Sequence, residues 1–348
     1  MVTISLCMIV KNEEKVIRRC LSCAKSFVDE IIVVDTGSAD HTKEIAREMG
    51  AQVFYFEWID DFAAARNFSF SKATMDYILW LDADDIIDQE NQQKLKELKY
   101  RLDSSIDVIM MHYEMNHMKD ESPIIFDRER IVKREKNFQW NGRIHETLSI
   151  EGKIIYQDIT IQHQKMTVND PNRNLSIFKK MEKENMVFSP REIYYYAREL
   201  QYHGLIEEAI QKYETFLKEN GWVEDLLQAC YELGNCYMIL KQRQKAFFAY
   251  IKSFQYEVPT SQICNAIGFW FLDEKEYEQA AYWYEQSIRS THRGGFEKQD
   301  DHDFLPALQL AICYYYLDEK EIAKHWFHFA ENIHPTHKLI QNNRVYFS

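Results

Sequence analysis

The sequence lacks any excess of basic charge: 42 Lys and Arg stand against 55 Asp and Glu, 42 − 55 = −13. That excludes a nucleic-acid surface or an anionic membrane patch as the main business of the chain, while leaving room for a local basic pocket around a diphosphate. Paired cysteine motifs are also missing. The seven cysteines form one C-x2-C pair, Cys20 and Cys23, with no second pair to complete a zinc knuckle, so they read as reduced thiols, and that pair as neighbours on a helix. No stretch reaches about 18 uninterrupted apolar residues, and the apolar start Thr3–Val10 runs straight into Lys11-Asn12-Glu13-Glu14 without the basic leader or cleavage site of a signal peptide. A soluble cytoplasmic protein with no transmembrane segment is the expectation. Glycine-rich phosphate loops are absent too: the first strand-helix turn is Val10-Lys11-Asn12-Glu13, and there is no GxxxxGK[ST], which argues against a dinucleotide fold or a P-loop.

What is present is abundant apolar material, 46% of 348 residues, enough for two domains. The most informative stretch is Tyr77-Ile78-Leu79-Trp80-Leu81-Asp82-Ala83-Asp84-Asp85, strand-formers ending in three carboxylates around one alanine. A buried strand that delivers acids at its carboxyl end places them where the crevice of an open α/β sheet opens. Carboxylates spaced one residue apart suit Mg2+ or Mn2+ bound with phosphate oxygens, rather than zinc.

Strand and helix alternate through the first half: strand 3–10, helix from Glu13 to about Lys25, strand Glu30–Asp35, helix Thr42 to Met49, strand Gln52–Phe56. This predicts a largely parallel sheet with ligands at the carboxyl ends of its strands, where Asn12, Glu13 and Asp35 fall. Further strands are read at 106–117 and from Ile154 to Ile161.

Four segments in order, Met8-Ile9-Val10-Lys11-Asn12-Glu13, Ile32-Val33-Val34-Asp35-Thr36-Gly37-Ser38-Ala39-Asp40, Phe62-Ala63-Ala64-Ala65-Arg66-Asn67 and Leu79-Trp80-Leu81-Asp82-Ala83-Asp84, resemble family 2 glycosyltransferases of the GT-A fold. The resemblance implies a nucleotide-sugar donor, with a UDP-sugar favoured. It places Val10 and Glu13 at the nucleobase pocket, Asp35 on base or ribose, Arg66 near the nucleotide, Asp82 at the ribose and metal, and Asp84 on a Mn2+ or Mg2+ that bridges the diphosphate, with Asn12 and Ala83 also among the nucleotide-sugar-binding residues.

The stretch Trp140-Asn141-Gly142-Arg143-Ile144-His145-Glu146 is similar to one found in a subgroup that includes lipopolysaccharide-core glycosyltransferases and bacteriocin S-glycosyltransferases. Inverting sugar transfer needs one general base beside the acceptor nucleophile. Glu146 is the candidate, with His145 and Asp85 as rivals. In the same subgroup a histidine precedes an Arg-Asn pair, here His163 and Arg173-Asn174, which makes His163 a candidate third ligand to the metal or a diphosphate contact. Where many subgroup members have His-x-Gly-Tyr, this chain has His163-Gln164-Lys165-Met166, which leaves the role of the following loop open.

From about Asn172 the period changes to 3.6, and a repeat emerges. A small residue followed twelve positions later by alanine recurs as Ala197/Ala209, Gly234/Ala246, Gly268/Ala280 and Ala311/Ala323, with Tyr213, Tyr250, Tyr284 and Phe327 four beyond each alanine. The alanines are spaced 246 − 209 = 37, 280 − 246 = 34 and 323 − 280 = 43 apart, near the tetratricopeptide (TPR) period, with Arg293–Asp301 absorbing the longest interval. These residues predict helical hairpins whose seams the small residues and aromatics fill, and a concave face that could take a peptide acceptor, a protein partner or a second copy.

The sequence thus predicts an α/β GT-A domain over 1–170 and an all-α TPR-like domain over 171–348, acting as an inverting metal-dependent hexosyltransferase on a saccharide or on a peptide or protein, with no nucleic acid as partner. Two other readings stay open: a sugar-phosphate nucleotidyltransferase, and a non-catalytic repeat scaffold with a degenerate transferase domain.

Overall fold

The computed structural model describes residues 1–115, 124–164, 170–291 and 298–347. The chain divides into two compact units, one reaching Ile177 and the other beginning at Phe178. In chain order the first contains β1 (Ile4–Val10), α1 (Ile17–Ala24), β2 (Glu30–Asp35), α2 (Thr42–Glu48), β3 (Gln52–Tyr55), α3 (Phe62–Phe70), β4 (Tyr77–Trp80), β5 (Asp85–Ile86), α4 (Gln89–Arg101), β6 (Val108–Met115), β7 (Ile124–Lys133), β8 (Trp140–Asn141), β9 (Thr147–Leu148) and β10 (Ile154–His163). The division falls within α5 (Arg173–Lys183).

Eight strands form one sheet in the order β3-β2-β1-β4-β7-β6-β10-β5, and β8 pairs with β9 in a separate two-stranded ribbon. β3, β2, β1 and β4 run parallel, as do β6 and β10, whereas β7 is antiparallel to both β4 and β6, and β5 to β10. Successive strands grow from β1 through β2 to β3 on one side, and β4 then takes the other side of β1. That reversal is a topological switch point, where a crevice opens at the strand ends.

Alternation along β4 sorts its side chains to the two faces of the sheet. Tyr77 and Leu79 join the core cluster holding Ile17, Cys20 and Leu21 of α1, while Ile78 and Trp80 join the one holding Ala63 and Phe70 of α3 and Trp140 of β8. Both faces are covered, as a parallel sheet requires.

Three differences from the sequence reading have local causes. α1 begins at Ile17 because the carbonyl of Glu13 accepts from both Val16 and Ile17, so that 13–16 form a turn before the helix. The sheet is less uniformly parallel than expected because the arginine-rich stretch 128–134 lies mostly in the ten-residue β7, where Arg130 is fully buried and hides the alternation. β10 runs on to His163, because His163 pairs with Asp85 of β5. Of the expected strand 106–117, residues 116 and 117 lie outside the described residues, as do Lys165 and Met166 of the loop after His163 and residues 293–297 of the long interval.

The second unit is helical. Its hairpins pair α6 (Pro190–Tyr202) with α7 (Ile206–Phe216), α8 (Val223–Ile239) with α9 (Arg243–Lys252), and α10 (Ser261–Asp273) with α11 (Tyr277–Arg289). After the short α12 (Gln299–His302), α13 (Phe304–Tyr316) pairs with α14 (Lys320–Ile333), and α15 (Lys338–Phe347) follows. Each small residue read from the repeat lies on the first helix of a hairpin and each alanine on the second. A Cβ added at Gly268 would stand 2.9 Å from Cε1 of Tyr284, and one at Gly234 would fall onto the Tyr250 ring. Small residue and aromatic therefore fill one seam, as the repeat predicted. The seven cysteines form no disulfide among the described residues, where no helix is long and apolar enough to cross a membrane.

Candidate active site

A cavity of about 800 Å³ opens at the switch point, within the range of small-molecule sites. Val10, Asn12, Glu13, Arg66, Asp82, Ala83, Asp84, His145, Glu146 and His163 all line it. Residues from five separate segments of the chain thus meet at the carboxyl ends of β1 and β4.

The wall after β1 is held by its own turns. Asn12 takes a left-handed backbone (φ +57°), and its Oδ1 accepts from Ala39 N–H at 2.8 Å. The N–H groups of Asn12 and Glu13 donate to Ser38 Oγ and Thr42 Oγ1. Asp35 is 1% exposed, and its carboxylate accepts from the N–H groups of Gly37 and Ser38. It braces the turn, and its neighbour Thr36 lines the cavity in its place.

At the end of β4 the three acids diverge. Asp82 pairs with Arg66 (Oδ1 to Nη2, 2.8 Å). Burial alone would raise its pKa, but Arg66 and Arg130 outweigh that and hold it below the usual carboxylate range. Asp85 is fully buried: it accepts from the N–H of Asp82 at 3.0 Å, from Arg130 Nη1 at 3.2 Å and from the Tyr113 hydroxyl at 3.0 Å. Asp84 faces the cavity, and its Oδ1 lies 3.4 Å from His163 Nδ1, which is equally far from Asp85 Oδ1. Burial pushes the Asp84 pKa up, with His163 opposing and Asp82 and Asp85 adding to the rise. The hydrogen bond with Asp85 raises His163 against the effect of burial, and Asp84 adds to it.

Asp84, Asp85 and His163 offer donor atoms all within 4.8 Å of one another. Two carboxylates and an imidazole are a donor set suited to a hard divalent cation. The charges agree: Asp82, Asp84, Asp85 and Glu146 against Arg66 and Arg130 leave −4 + 2 = −2 beside a His163 that can ligate when neutral. The sequence reading grouped Asp82 with Asp84 and His163, whereas here Asp85 completes the cluster and Asp82 faces Arg66.

β8 and β9 present the turn that carries His145 and Glu146. His145 has φ +52°, a conformation few side chains adopt, and it lines the cavity. Glu146 is 12% exposed, and its Oε1 accepts from Arg66 Nε at 2.7 Å. The Arg66 guanidinium lies 4.9 Å from the ring centres of both Trp80 and Trp140. Arg66 therefore joins Asp82, after β4, to the turn that carries Glu146, a link that sequence reading missed. Trp58, Phe62 and Arg173 also line the cavity, Arg173 lying over Phe62 at 4.8 Å. Trp58 carried no signal in the sequence, because an aromatic after a strand reads as core, and Phe62 entered only as the first residue of the segment that holds Arg66.

A mostly parallel sheet with acids leaving the strand beside its switch point, no glycine loop and TPR-like hairpins downstream define a GT-A-like domain followed by a helical repeat. Residues 5–157 match the family described as glycosyl transferase family 2. The SPbeta prophage-derived glycosyltransferase SunS of Bacillus subtilis is 26% identical over 251 residues, 66% of this chain and 58% of that protein. A TPR repeat-containing protein of Synechococcus elongatus is 53% identical over 85 residues, 24% of this chain and 21% of its own length. Among solved structures, glucosyl-3-phosphoglycerate synthase from Mycobacterium tuberculosis in complex with Mn2+, UDP and glucosyl-3-phosphoglycerate gives a TM-score of 0.37 at 15% identity, covering 54% of this chain and 82% of that one. The chain spans less than two thirds of the length of these two relatives.

Proposed function

We propose that the chain is an inverting, metal-dependent glycosyltransferase that moves a hexose from a UDP-sugar to a saccharide or to a peptide or protein. The observation that carries this reading is that Asp84 and Glu146 line one cavity, with Arg66 bonded to both Glu146 and Asp82. In this reading the donor lies along Val10, Asn12 and Glu13 with its diphosphate toward Asp84 and His163. A Mn2+ or Mg2+ ion held there supplies positive charge that favours departure of the nucleoside diphosphate. Glu146 takes the proton of the acceptor nucleophile as the new bond to the anomeric carbon forms and the bond to the diphosphate oxygen breaks on the opposite face. A carboxylate that bears on both Arg66 and the cavity is held in one orientation, which favours it over His145 as the base. The helical unit offers a surface for a protein acceptor or partner.

The test is turnover of UDP-hexoses by the purified chain with Mn2+, alongside UDP affinity by calorimetry. Glu146→Gln is expected to lower turnover by about 10²- to 10⁴-fold and to leave UDP affinity in place. Asp84→Asn is expected to abolish the gain in UDP affinity that Mn2+ confers. Wild type and both variants consuming donor equally slowly would sink the catalytic reading.

A further inference from the structure

The segment Phe62–Asn67 was singled out in the sequence, and its Phe62 and Arg66 line the cavity. The neighbouring Asn67 does not line the cavity, yet it makes two hydrogen bonds to a single residue: Nδ2 donates to the carbonyl of Trp140 at 3.0 Å, and Oδ1 accepts from the Trp140 N–H at 2.8 Å. The same helix reaches the same segment at two more points. The Phe62 N–H donates to the carbonyl of Arg143 at 2.9 Å, and the N-cap Asp61, whose Oδ1 holds Ala64 N–H, lies 4.0 Å from Arg143 Nε. Arg66 then supplies the bond to Glu146.

We propose that Arg66 and Asn67, side by side on α3, are positioning residues that mount the Trp140–Glu146 turn and set the Glu146 carboxylate in register with Asp82. The residue types fit the task. A primary amide has a donor and an acceptor on one planar group and so matches the N–H and C=O of one peptide residue, which a carboxylate cannot do. Two guanidinium nitrogens, Nε and Nη2, address two carboxylates at once from one planar group that lies 4.9 Å from the ring centres of both Trp80 and Trp140; a lysine ammonium is a point charge without that fixed fork. Ala63 and Ala65 are buried, which lets the helix approach closely enough for these short reaches. Nε and one Nη of Arg66 are committed to protein carboxylates, so its part is to align Glu146 and Asp82 rather than to grip the nucleotide. The proposal rests on Glu146 being the base.

The experiment compares full-length wild type with Asn67→Ala, Asn67→Asp and Arg66→Lys in amide hydrogen exchange, UDP affinity with Mn2+, and the kcat and KM of donor turnover. In Asn67→Ala, exchange at Trp140 and the turn to Glu146 should rise by about 10-fold, two hydrogen bonds being lost, while β1 and β4 keep their protection. Its kcat should fall by about 10- to 100-fold with UDP affinity within about twofold of wild type, the signature of a misplaced group rather than a lost ligand. Asn67→Asp, which keeps the acceptor and loses the donor, should lie between, and it serves if the alanine variant does not fold. Unchanged exchange at Trp140, or a lowered melting temperature with unchanged kcat, overturns the proposal. A Glu146→Gln enzyme that turns over donor like wild type instead overturns the assignment of the base, whatever the exchange data show.

Discussion

Arg130 of β7 and Asp85 of β5 form an ion pair in which both side chains are wholly buried, Nη1 standing 3.2 Å from Oδ2. The guanidinium lies between Trp80 at 3.9 Å and Tyr113 at 4.2 Å and also donates to the Trp80 carbonyl. Asp85 in turn holds the N–H of Asp82, so the pair braces the turn that carries the three acids. Removing one partner of such a pair strands a charge where water cannot reach it. Arg130→Met is expected to destabilise the first unit by about 3–5 kcal/mol, whereas Arg130→Met with Asp85→Leu should recover much of that loss. Urea unfolding of the two variants measures the difference, and equal stability of single and double variants would contradict it.

Alkaline pH should weaken the fold through Tyr77. Burial, with Asp107 and Asp103 adding to it, pushes its hydroxyl pKa up to about 12, and the hydroxyl donates to the Ile106 carbonyl at 2.7 Å. An unfolded tyrosine ionises near 10. Between about 10 and 12 the unfolded chain therefore binds fewer protons than the folded one, so stability is fully present below pH 10 and declines as pH rises toward 12. Tyr77→Phe should cost about 1 kcal/mol at neutral pH and flatten the alkaline limb of a plot of melting temperature against pH.

The repeat seams have no room for a further methyl group. Gly234→Ala forces Tyr250 aside and should cost about 1–3 kcal/mol, more than the mild gain in helix propensity returns. Pairing it with Tyr250→Leu frees the space, and thermal melts of the single and double variants would show partial recovery.

Much of this was readable because the relevant signals are local or periodic. Strand–helix alternation fixes the sheet order on one side of the switch point, and Asp82-Ala83-Asp84 falls at its edge because the β4 run ends there. The repeat was legible because Gly234 and Tyr250 recur in kind at Gly268 and Tyr284. What escaped depends on pairing between distant segments. Nothing near Arg130 says that an arginine inside a strand will be buried against Asp85, 45 residues earlier. Asp35 looks like a ligand because it follows a strand, but it bends back onto the N–H groups of its own turn. Residues of the Trp140–Glu146 turn were visible as a polar cluster, while their attachment to α3 was not, since no period links positions 67 and 140.

The Asn67 amide has one more effect. Trp140 is in β8, and its N–H and C=O, the groups an edge strand would offer to a neighbouring chain, are both taken by that single side chain. An open strand edge invites pairing with another molecule. Here one side chain stands where another strand would add, so the ribbon is closed to growth at Trp140, beside the cavity.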